Sequence, residues 1–276
     1  MKEAVDLNNP EVVSVFDELP LWSAPFGLKL LDKVNLRANM RALDIGCGAG
    51  FPMIELAQRL GESSKVYGID PWAEALDRLF VKTKVMSVSN VEVVKGVAEQ
   101  LPFENGFFDL VVSNNGINNV QDQRAVLAEC FRVCRPGGQL VLTMNLPDTM
   151  KEFYEVYEQT LRDLGKLSEI SRLHDHIFTK RKPLPLTIEM LEKAGFRIED
   201  VAEDSFRLRY LDGTTLFNHF FIRLGFLDGW KSVLADADVK RTFTLLQKNL
   251  NTIAAQAGEL SLTIPYVCID CRRNHE

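Results

Sequence analysis

The strongest constraint on the fold is a regular alternation of short apolar runs with amphipathic stretches between residues 36 and 145. The apolar runs predict strands, and the stretches between them repeat apolar residues at helical spacing. The predicted strands are 41–45, 65–70, 91–96, 108–113 and 139–144. The predicted helices are 52–60, 73–83 and 123–134; Asp122 is placed to cap the last of them, and residues 135–138 (Arg-Pro-Gly-Gly) end it. Strands that are almost continuously Val, Ile and Leu are typical of a parallel sheet covered by helices on both faces.

The second half of the chain departs from this rhythm. We predict two helices within 148–181, a helix at 187–194, a strand at 197–210, an aromatic-rich helical segment at 214–230, a long amphipathic helix through 239–257 and a last strand at 260–271. The predicted fold class is therefore α/β. It consists of a doubly wound, mostly parallel sheet of seven strands, with a late antiparallel strand and inserted helices.

The positions of prolines and inserted helices predict the domain organisation. Residues 1–35 are broken by Pro10, Pro20 and Pro25, which predicts a helical lid. Residues 36–276 would form the main domain, and helical insertions at about 148–185 and 212–258 would form a substrate cap.

Composition narrows the class of partner. The chain has 276 residues and a net charge of −6, which disfavours a polyanion such as nucleic acid as the main partner. We find no apolar run long enough to span a bilayer and no apolar secretory segment at the start, so we expect a soluble, cytoplasmic protein. The five cysteines are predicted to be unpaired and structural, and Cys268 and Cys271 lie on one predicted strand, facing opposite sides, which predicts no metal site.

A glycine loop, Asp44-Ile45-Gly46-Cys47-Gly48-Ala49-Gly50, joins the first predicted strand to the first helix of the sheet. Such a loop lets the backbone approach a ligand at the carboxyl edge of the sheet, and both dinucleotides and S-adenosylmethionine bind there. Phe51 stands where a dinucleotide fingerprint needs its third glycine. Asp44 would repel a pyrophosphate but attract the ammonium and sulfonium of S-adenosylmethionine, whereas Asp70 could bind the ribose of either cofactor.

Five ordered blocks resemble the class I S-adenosylmethionine-dependent methyltransferases, in particular the small-molecule branch that includes the ubiquinone/menaquinone C-methyltransferases. The blocks are LDIGCGAG (43–50), VYGID (66–70), GVAEQLPF (96–103), FDLVVSN (108–114) and RVCRPGG (132–138). The resemblance covers about the first half of the chain. It implies a Rossmann-like methyltransferase fold and S-adenosyl-L-methionine as cofactor.

The resemblance also implies which residues hold the cofactor. The glycine loop would cup the methionine end, Asp70 would bind the ribose, residues 97–99 would lie against the adenine, and residues 113–114 would lie beside the methionine carboxylate and amino group. The implied cofactor-binding residues are Asp44, Gly46, Cys47, Gly48, Gly50, Asp70, Pro71, Val97, Ala98, Glu99, Ser113 and Asn114. The family often has Asp at position 97, so adenine selection here would depend on Ala98 and Glu99; the alternative for Glu99 is a solvated loop charge.

The methyl acceptor leaves a weaker signal, and the sequence identifies no catalytic base. Asn118 and Asn119 follow the fourth strand and could orient a substrate, although an amide cannot act as a base; the alternative is a turn. His219 lies among aromatic residues and is either a substrate-binding residue or a packed core histidine, and those aromatics are either a pocket wall or ordinary packing. His174 and His176 are expected on the surface.

These features predict an enzyme that transfers a methyl group by in-line displacement to a small, partly apolar molecule. Three alternatives remain at this point. They are an RNA or protein methyltransferase, an NAD-dependent oxidoreductase and a non-catalytic module that binds S-adenosylmethionine.

Overall fold

A computed structural model describes residues 9–18 and 22–274. Its seven-stranded sheet has the order β3-β2-β1-β4-β5-β7-β6. The strands are β1 (Arg41–Ile45), β2 (Lys65–Asp70), β3 (Val91–Lys95), β4 (Phe108–Asn114), β5 (Cys134–Asn145), β6 (Phe196–Tyr210) and β7 (Leu260–Arg273). The pairs among β1 to β5 are parallel, and β7 runs antiparallel to β5, so the predicted fold class is confirmed.

The helices fall between these strands as the periodicity predicts, with ends that differ by a few residues. They are α1 (Pro10–Glu18), α2 (Ser23–Lys33), α3 (Met53–Leu60), α4 (Ala73–Val85), α5 (Gln123–Val133), α6 (Lys151–Asp163), α7 (Leu167–Lys180), α8 (Leu184–Lys193), α9 (Gly213–Asn218), α10 (Phe220–Gly225), α11 (Leu227–Lys231) and α12 (Asp236–Ala257). Helices α1 and α2 lie within residues 1–35, the predicted lid, of which residues 1–8 and 19–21 lie outside the described residues.

Strand β1 occupies the switch point of the sheet. It pairs with β2 on one side and with β4 on the other, and the chain order reverses between these two neighbours. In open α/β sheets the crevice at the carboxyl ends of such strands is where ligands bind. The glycine loop begins directly after Ile45, the last residue of β1.

Two local predictions differ from the structure. Residues 135–138 follow the end of the helix, as predicted, but they already belong to β5, whose pairing with β4 shifts register between Phe108 and Leu110. A bulge absorbs the extra residues there, with Gly137 at φ 70°. The predicted single helical segment at 214–230 is three short helices, because His219 adopts an extended conformation and Phe226 also leaves the helical region.

The chain divides into two compact units. One contains residues 9–18, 22–145, 183–204 and 266–274, and its core lies between the parallel strands and helices such as α3 and α4. The other contains residues 146–182 and 205–265 and is centred on buried aromatic rings. These rings include Phe153, Tyr157, Phe217, Trp230 and Phe243. Phe217 and Trp230 are therefore packed core residues.

All five cysteines are buried and free, consistent with a structural role. Within residues 9–18 and 22–274, no cluster of three or more His, Cys, Asp or Glu side chains could hold a metal ion. No helix in this described part of the chain combines the length and apolar character needed to cross a membrane.

Asp122 caps α5 as the sequence predicts, because its carboxylate accepts hydrogen bonds from the backbone amides of Arg124 (2.9 Å) and Ala125 (3.1 Å). We expect Asp122→Ala to lower the free energy of unfolding by about 1 kcal/mol, since two amides of the first turn lose their acceptor. Asp122→Asn retains an acceptor oxygen and should lose less than half as much. Urea unfolding of both variants tests this, and equal losses would contradict the capping role.

Candidate functional site

The glycine loop is built from backbone conformations that favour glycine. Gly46, Gly48 and Gly50 have φ values of 77°, 47° and 105°. The amide of Gly46 donates to the Ile69 carbonyl at 2.9 Å, and the amide of Gly50 donates to the Cys47 carbonyl at 2.8 Å. The loop is thereby fixed against the end of β2 before α3 begins.

The three glycines face different surroundings. A side chain at Gly46 would place its Cβ 2.9 Å from the Cα of Gly116, and one at Gly50 would meet Ile54 at 2.7 Å. A Cβ at Gly48 would have nothing within 4 Å. Gly46 and Gly50 are therefore required for packing, whereas Gly48 leaves an open face where a ligand can approach the backbone. Gly116 could not be identified from the sequence, because the contact between Gly116 and Gly46 joins two loops that are distant in the chain.

Cys47 contributes only its backbone to this open face. Its side chain is buried, and a Cβ on Gly68 would lie 2.8 Å from the Cys47 Sγ, so the thiol packs into the sheet. Burial, followed by the charges of Asp44 and Asp70, raises the pKa of the Cys47 thiol. A thiol in this state is neither a nucleophile nor a metal ligand.

Asp70 ties the glycine loop to the end of β2. One carboxylate oxygen accepts from the Gly48 amide at 2.9 Å, and the other accepts from the Trp72 amide at 2.8 Å. Burial raises the pKa of Asp70, and these two hydrogen bonds oppose the rise. Each oxygen keeps a further lone pair, so the carboxylate can still accept from two ribose hydroxyls. Pro71, the next residue, is exposed beside it.

Asp44 is fully buried at the end of β1, and neither carboxylate oxygen has a hydrogen-bond partner. Burial and then the charge of Asp70 raise the pKa of Asp44 to about 8. The nearby Met53 amide lowers this pKa only in part, and it does not form a hydrogen bond with the carboxylate. An unpartnered buried carboxylate costs several kcal/mol, and a cation beside it removes that cost. The residues present therefore fit S-adenosylmethionine, which would bring an ammonium and a sulfonium to this edge.

Residues 97–99, which are predicted to lie against the adenine, differ in exposure and in hydrogen bonding. Val97 is 51% exposed although it is apolar, and Ala98 is buried. The Glu99 carboxylate accepts from the backbone amides of Gln121 (2.9 Å) and Asp122 (3.3 Å). Glu99 therefore anchors the loop before α5 rather than standing as a solvated charge, and its role toward adenine remains a prediction.

Ser113 and Asn114, at the end of β4, connect the site to its surroundings. The Ser113 hydroxyl donates to the Ile45 carbonyl at 3.0 Å and accepts from the Ile117 amide at 3.2 Å, so its single proton is already used. The Asn114 amide donates to the Ser23 carbonyl at 3.1 Å. Because Ser23 begins α2, this bond attaches the second helix of the predicted lid to β4.

Helix α2 also contacts the glycine loop itself. A Cβ at Gly27 would lie 2.3 Å from the Phe51 ring, so the helix backbone rests directly on that ring. Phe51, which replaces the third glycine of a dinucleotide fingerprint, thus serves as the contact between α2 and the loop. Helix α1 is attached through Asp17, whose carboxylate pairs with Arg78 (2.9 Å) and Lys82 (2.6 Å) on α4.

A cluster of buried amides follows β4. Asn118 donates through its amide nitrogen to Asn115 (3.2 Å) and to Asn145 at the end of β5. The remaining Asn118 oxygen and the Asn115 amide nitrogen are buried without partners. Asn118 was predicted from its position after β4. Asn115 and Asn145 were not, because only the pairing of β4 with β5 brings them together.

The histidines lie in the other unit. The His219 ring packs edge-on against Tyr210 at 5.3 Å, and burial lowers its pKa. His174 is exposed beside Glu158, as expected. His176 differs from the surface prediction because it is half-buried, with its ring against Gly229.

Comparisons with known proteins find methyltransferases. The profile of a family described as "Methyltransferase domain" matches residues 43–142. A demethylmenaquinone methyltransferase from Lactococcus lactis is 32% identical over 200 residues, covering 69% of this chain and 77% of the relative. One from Geobacillus kaustophilus is 35% identical over 178 residues, covering 60% and 75%.

Solved structures share the fold at low sequence identity. A methyltransferase structure from Bacillus halodurans superposes with a TM-score of 0.60 at 20% identity, covering 90% of this chain and 98% of the other. A geranyl diphosphate C-methyltransferase from Streptomyces coelicolor superposes with a TM-score of 0.55 at 15% identity, covering 91% and 76%.

Asp44→Asn should separate ligand binding from stability. We expect the variant to bind S-adenosylmethionine at least about tenfold more weakly at pH 8, because the buried negative charge is lost. For the wild type, affinity should rise with pH up to about 8, where Asp44 ionises, and then level off, whereas the variant should lack this dependence. Calorimetric titration at several values between about pH 6 and pH 9 measures the affinity of both proteins and its pH dependence.

The same substitution should stabilise the ligand-free protein. The folded-state pKa of Asp44 lies above its usual value of 3.8, so wild-type stability falls as pH rises from about 4 to about 8. Asp44→Asn removes this decline and should raise Tm at pH 8 by roughly 3 °C or more. Scanning calorimetry without ligand is the measurement, and a variant that is destabilised at pH 8 would contradict the unpartnered carboxylate.

Asp70→Ala should weaken S-adenosylmethionine binding by about 1–3 kcal/mol, since ribose hydroxyls and the Gly48 amide both lose their acceptor. Asp77→Ala, which removes an exposed acid on α4, is the matched control and should bind as the wild type does. Calorimetry on folded protein decides, and unchanged affinity in Asp70→Ala would exclude this role.

Proposed function

The chain belongs to the class I S-adenosylmethionine-dependent methyltransferases, and from that premise we propose that it methylates a small, partly apolar ring compound of the quinol class. The enzyme class and cofactor follow from the relatives and the matching domain. An NAD-dependent oxidoreductase and a non-catalytic module are thereby set aside. The acceptor is our inference, and it draws on the demethylmenaquinone methyltransferases to which the chain is similar.

The observation that carries the assignment is the unpartnered Asp44 beneath the open face at Gly48. S-adenosylmethionine supplies an activated methyl group on a positively charged sulfur. Asp44 and Asp70 place negative charge where that cation would bind, and the Gly48 backbone permits close approach. This arrangement favours the cationic donor over a diphosphate, which both carboxylates would repel.

The amide cluster supports a neutral, oxygen-bearing acceptor. The unpaired oxygen of Asn118 can accept from a hydroxyl, and the unpaired amide of Asn115 can donate to a second oxygen. Rotating all three amides by half a turn exchanges these roles, and one donor and one acceptor still remain. A ring with two oxygen substituents would satisfy both groups, whereas a thiol, which is a weak donor and a weak acceptor, would not.

Asparagine neither accepts nor releases a proton at neutral pH, so these amides would orient the acceptor without ionising it. An electron-rich quinol ring suits such a site, because its ring carbon is already nucleophilic. The protein's contribution is then to align that carbon with the donor methyl and to exclude water during the transfer. The new carbon–carbon bond would form as the methyl–sulfur bond breaks, and the ring would then release the proton of that carbon to a water molecule as it regains aromaticity.

The direct test incubates the full chain with S-adenosylmethionine and a short-chain naphthohydroquinone, and measures the product mass by chromatography coupled to mass spectrometry. We expect one added methyl group on carbon. Asn118→Leu should raise the KM for the quinol by about tenfold and leave S-adenosylmethionine affinity unchanged, because a hydrogen bond to the acceptor is lost. Asn119, the other amide predicted after the fourth strand, is exposed and lies outside the buried cluster, so Asn119→Leu is the control.

Two results would overturn the quinol proposal. The first is transfer to an RNA or protein substrate, with none to hydroquinones. The second is equal loss in Asn118→Leu and Asn119→Leu, which would make Asn118 a folding residue rather than a substrate-binding one.

A further inference from the structure

A buried arginine in the unit formed by residues 146–182 and 205–265 has no counterion. Arg181 follows α7 and is only 3% exposed. Its Nε is buried without a hydrogen-bond acceptor, and its one hydrogen bond in the described structure goes from a terminal nitrogen to the Tyr154 hydroxyl at 3.2 Å. The guanidinium also lies over the Tyr154 ring, 5.4 Å from its centroid. No carboxylate pairs with it among the described residues.

Two acids on the helices that carry Tyr154 and Trp230 have partners of their own. Glu158 on α6 pairs with Arg162 and His174, and Asp228 on α11 pairs with Lys231. A buried charge without a counterion is strongly unfavourable, and one neutral hydrogen bond with a cation–π contact does not replace a carboxylate. Arg181 therefore lacks the partner that a buried guanidinium normally has.

The groups around Arg181 are donors. Trp230 donates through its indole nitrogen to the Tyr154 hydroxyl at 3.0 Å. That hydroxyl accepts from both Arg181 and Trp230 and, within the described residues, donates to none, so its proton is free. Arg181 Nε–H and Tyr154 O–H are both unused donors on two side chains in contact, and donors of this kind are what an oxyanion binds.

The local charge has the same sign. Lys180 and Lys182 flank Arg181 in the sequence. The half-buried His176, on the last turns of α7, has a lowered pKa because of burial and then the positive charges of Arg181 and Lys180. A positive potential beside unused donors attracts an anion and holds it by direct hydrogen bonds.

We propose that Arg181, with Tyr154, forms a binding site for an oxyanion, either a carboxylate or a phosphoryl group, carried by a ligand that docks on this unit. The Tyr154 ring lies against the guanidinium and Trp230 packs edge-on against that ring, which suits an aromatic acid in particular. This site is independent of the proposed quinol chemistry, since it uses none of the residues assigned to the cofactor or to the acceptor.

The test uses the full chain with three probes at constant ionic strength: benzoate, inorganic phosphate, and phenol as the neutral counterpart of benzoate. Thermal denaturation and calorimetric titration report binding. We expect benzoate or phosphate to raise Tm and phenol to leave it unchanged. Tighter binding of benzoate would identify an organic acid as the ligand, and tighter binding of phosphate a phosphoryl group.

Arg181→Met is the deciding variant, and Lys180→Met, which removes an exposed neighbouring cation, is its matched control. Arg181→Met should bind the anion at least about tenfold more weakly, yet be as stable as the wild type or more so without anion, because an unpaired buried charge is gone. Lys180→Met should keep most of the anion response, because the charge of an exposed lysine is screened by solvent, whereas Arg181 is buried and would bind the anion directly. If Arg181→Met does not fold, Arg181→Lys should keep the charge but lose the Nε donor and bind several-fold more weakly.

Two results with the wild type would overturn the proposed anion site: neither anion raises Tm, or phenol raises it as much as benzoate does. Three results with the variants would do the same: Arg181→Met binds the anion as the wild type does, Arg181→Met and Lys180→Met lose equal affinity, or a folded Arg181→Lys binds as the wild type does. Asp44→Asn should retain the anion response even where it loses S-adenosylmethionine binding. A failure of one proposal is thereby distinguished from a failure of the other.

Discussion

The carboxylate at the end of β1 is the constraint around which the sheet edge is organised. Asp44 lies on the central strand, between neighbours that bury it completely, and no hydrogen bond compensates its charge. A fold that retains such a group gives up stability in the absence of ligand. The surrounding glycines keep the backbone open at Gly48, where a cation that approaches the loop can offset this charge.

The sequence predicted the part of the site that lies within single segments. Asp44, Asp70 and the glycine loop each stand next to the end of a strand, and strand ends can be read from local periodicity. Asp122 capped its helix as predicted for the same reason, since capping depends on residues two and three positions away. Information of this kind is contained in a window of a few residues.

What could not be predicted depends on pairs that are distant in the chain. Gly116 is required because Gly46 approaches its backbone, and Asn145 joins Asn118 only because β5 lies beside β4. The bulge in β5 was missed because glycine and proline are turn signals locally, whereas strand pairing overrides them here. The solvated-charge alternative for Glu99 failed similarly, because its partners are amides of another loop.

The two units differ in which buried hydrogen-bonding groups are left unpaired, and this difference favours ligands of different polarity. Beside the glycine loop, the amide cluster retains one donor and one acceptor, which suits a neutral molecule with two oxygens. Around Arg181, the remaining groups are donors under a positive potential, which suits an anion. A buried polar group that its own chain leaves unpaired lowers the stability of the fold. A ligand that supplies the opposite hydrogen-bonding groups removes this cost, so unpaired donors indicate a ligand with acceptors, and unpaired acceptors a ligand with donors.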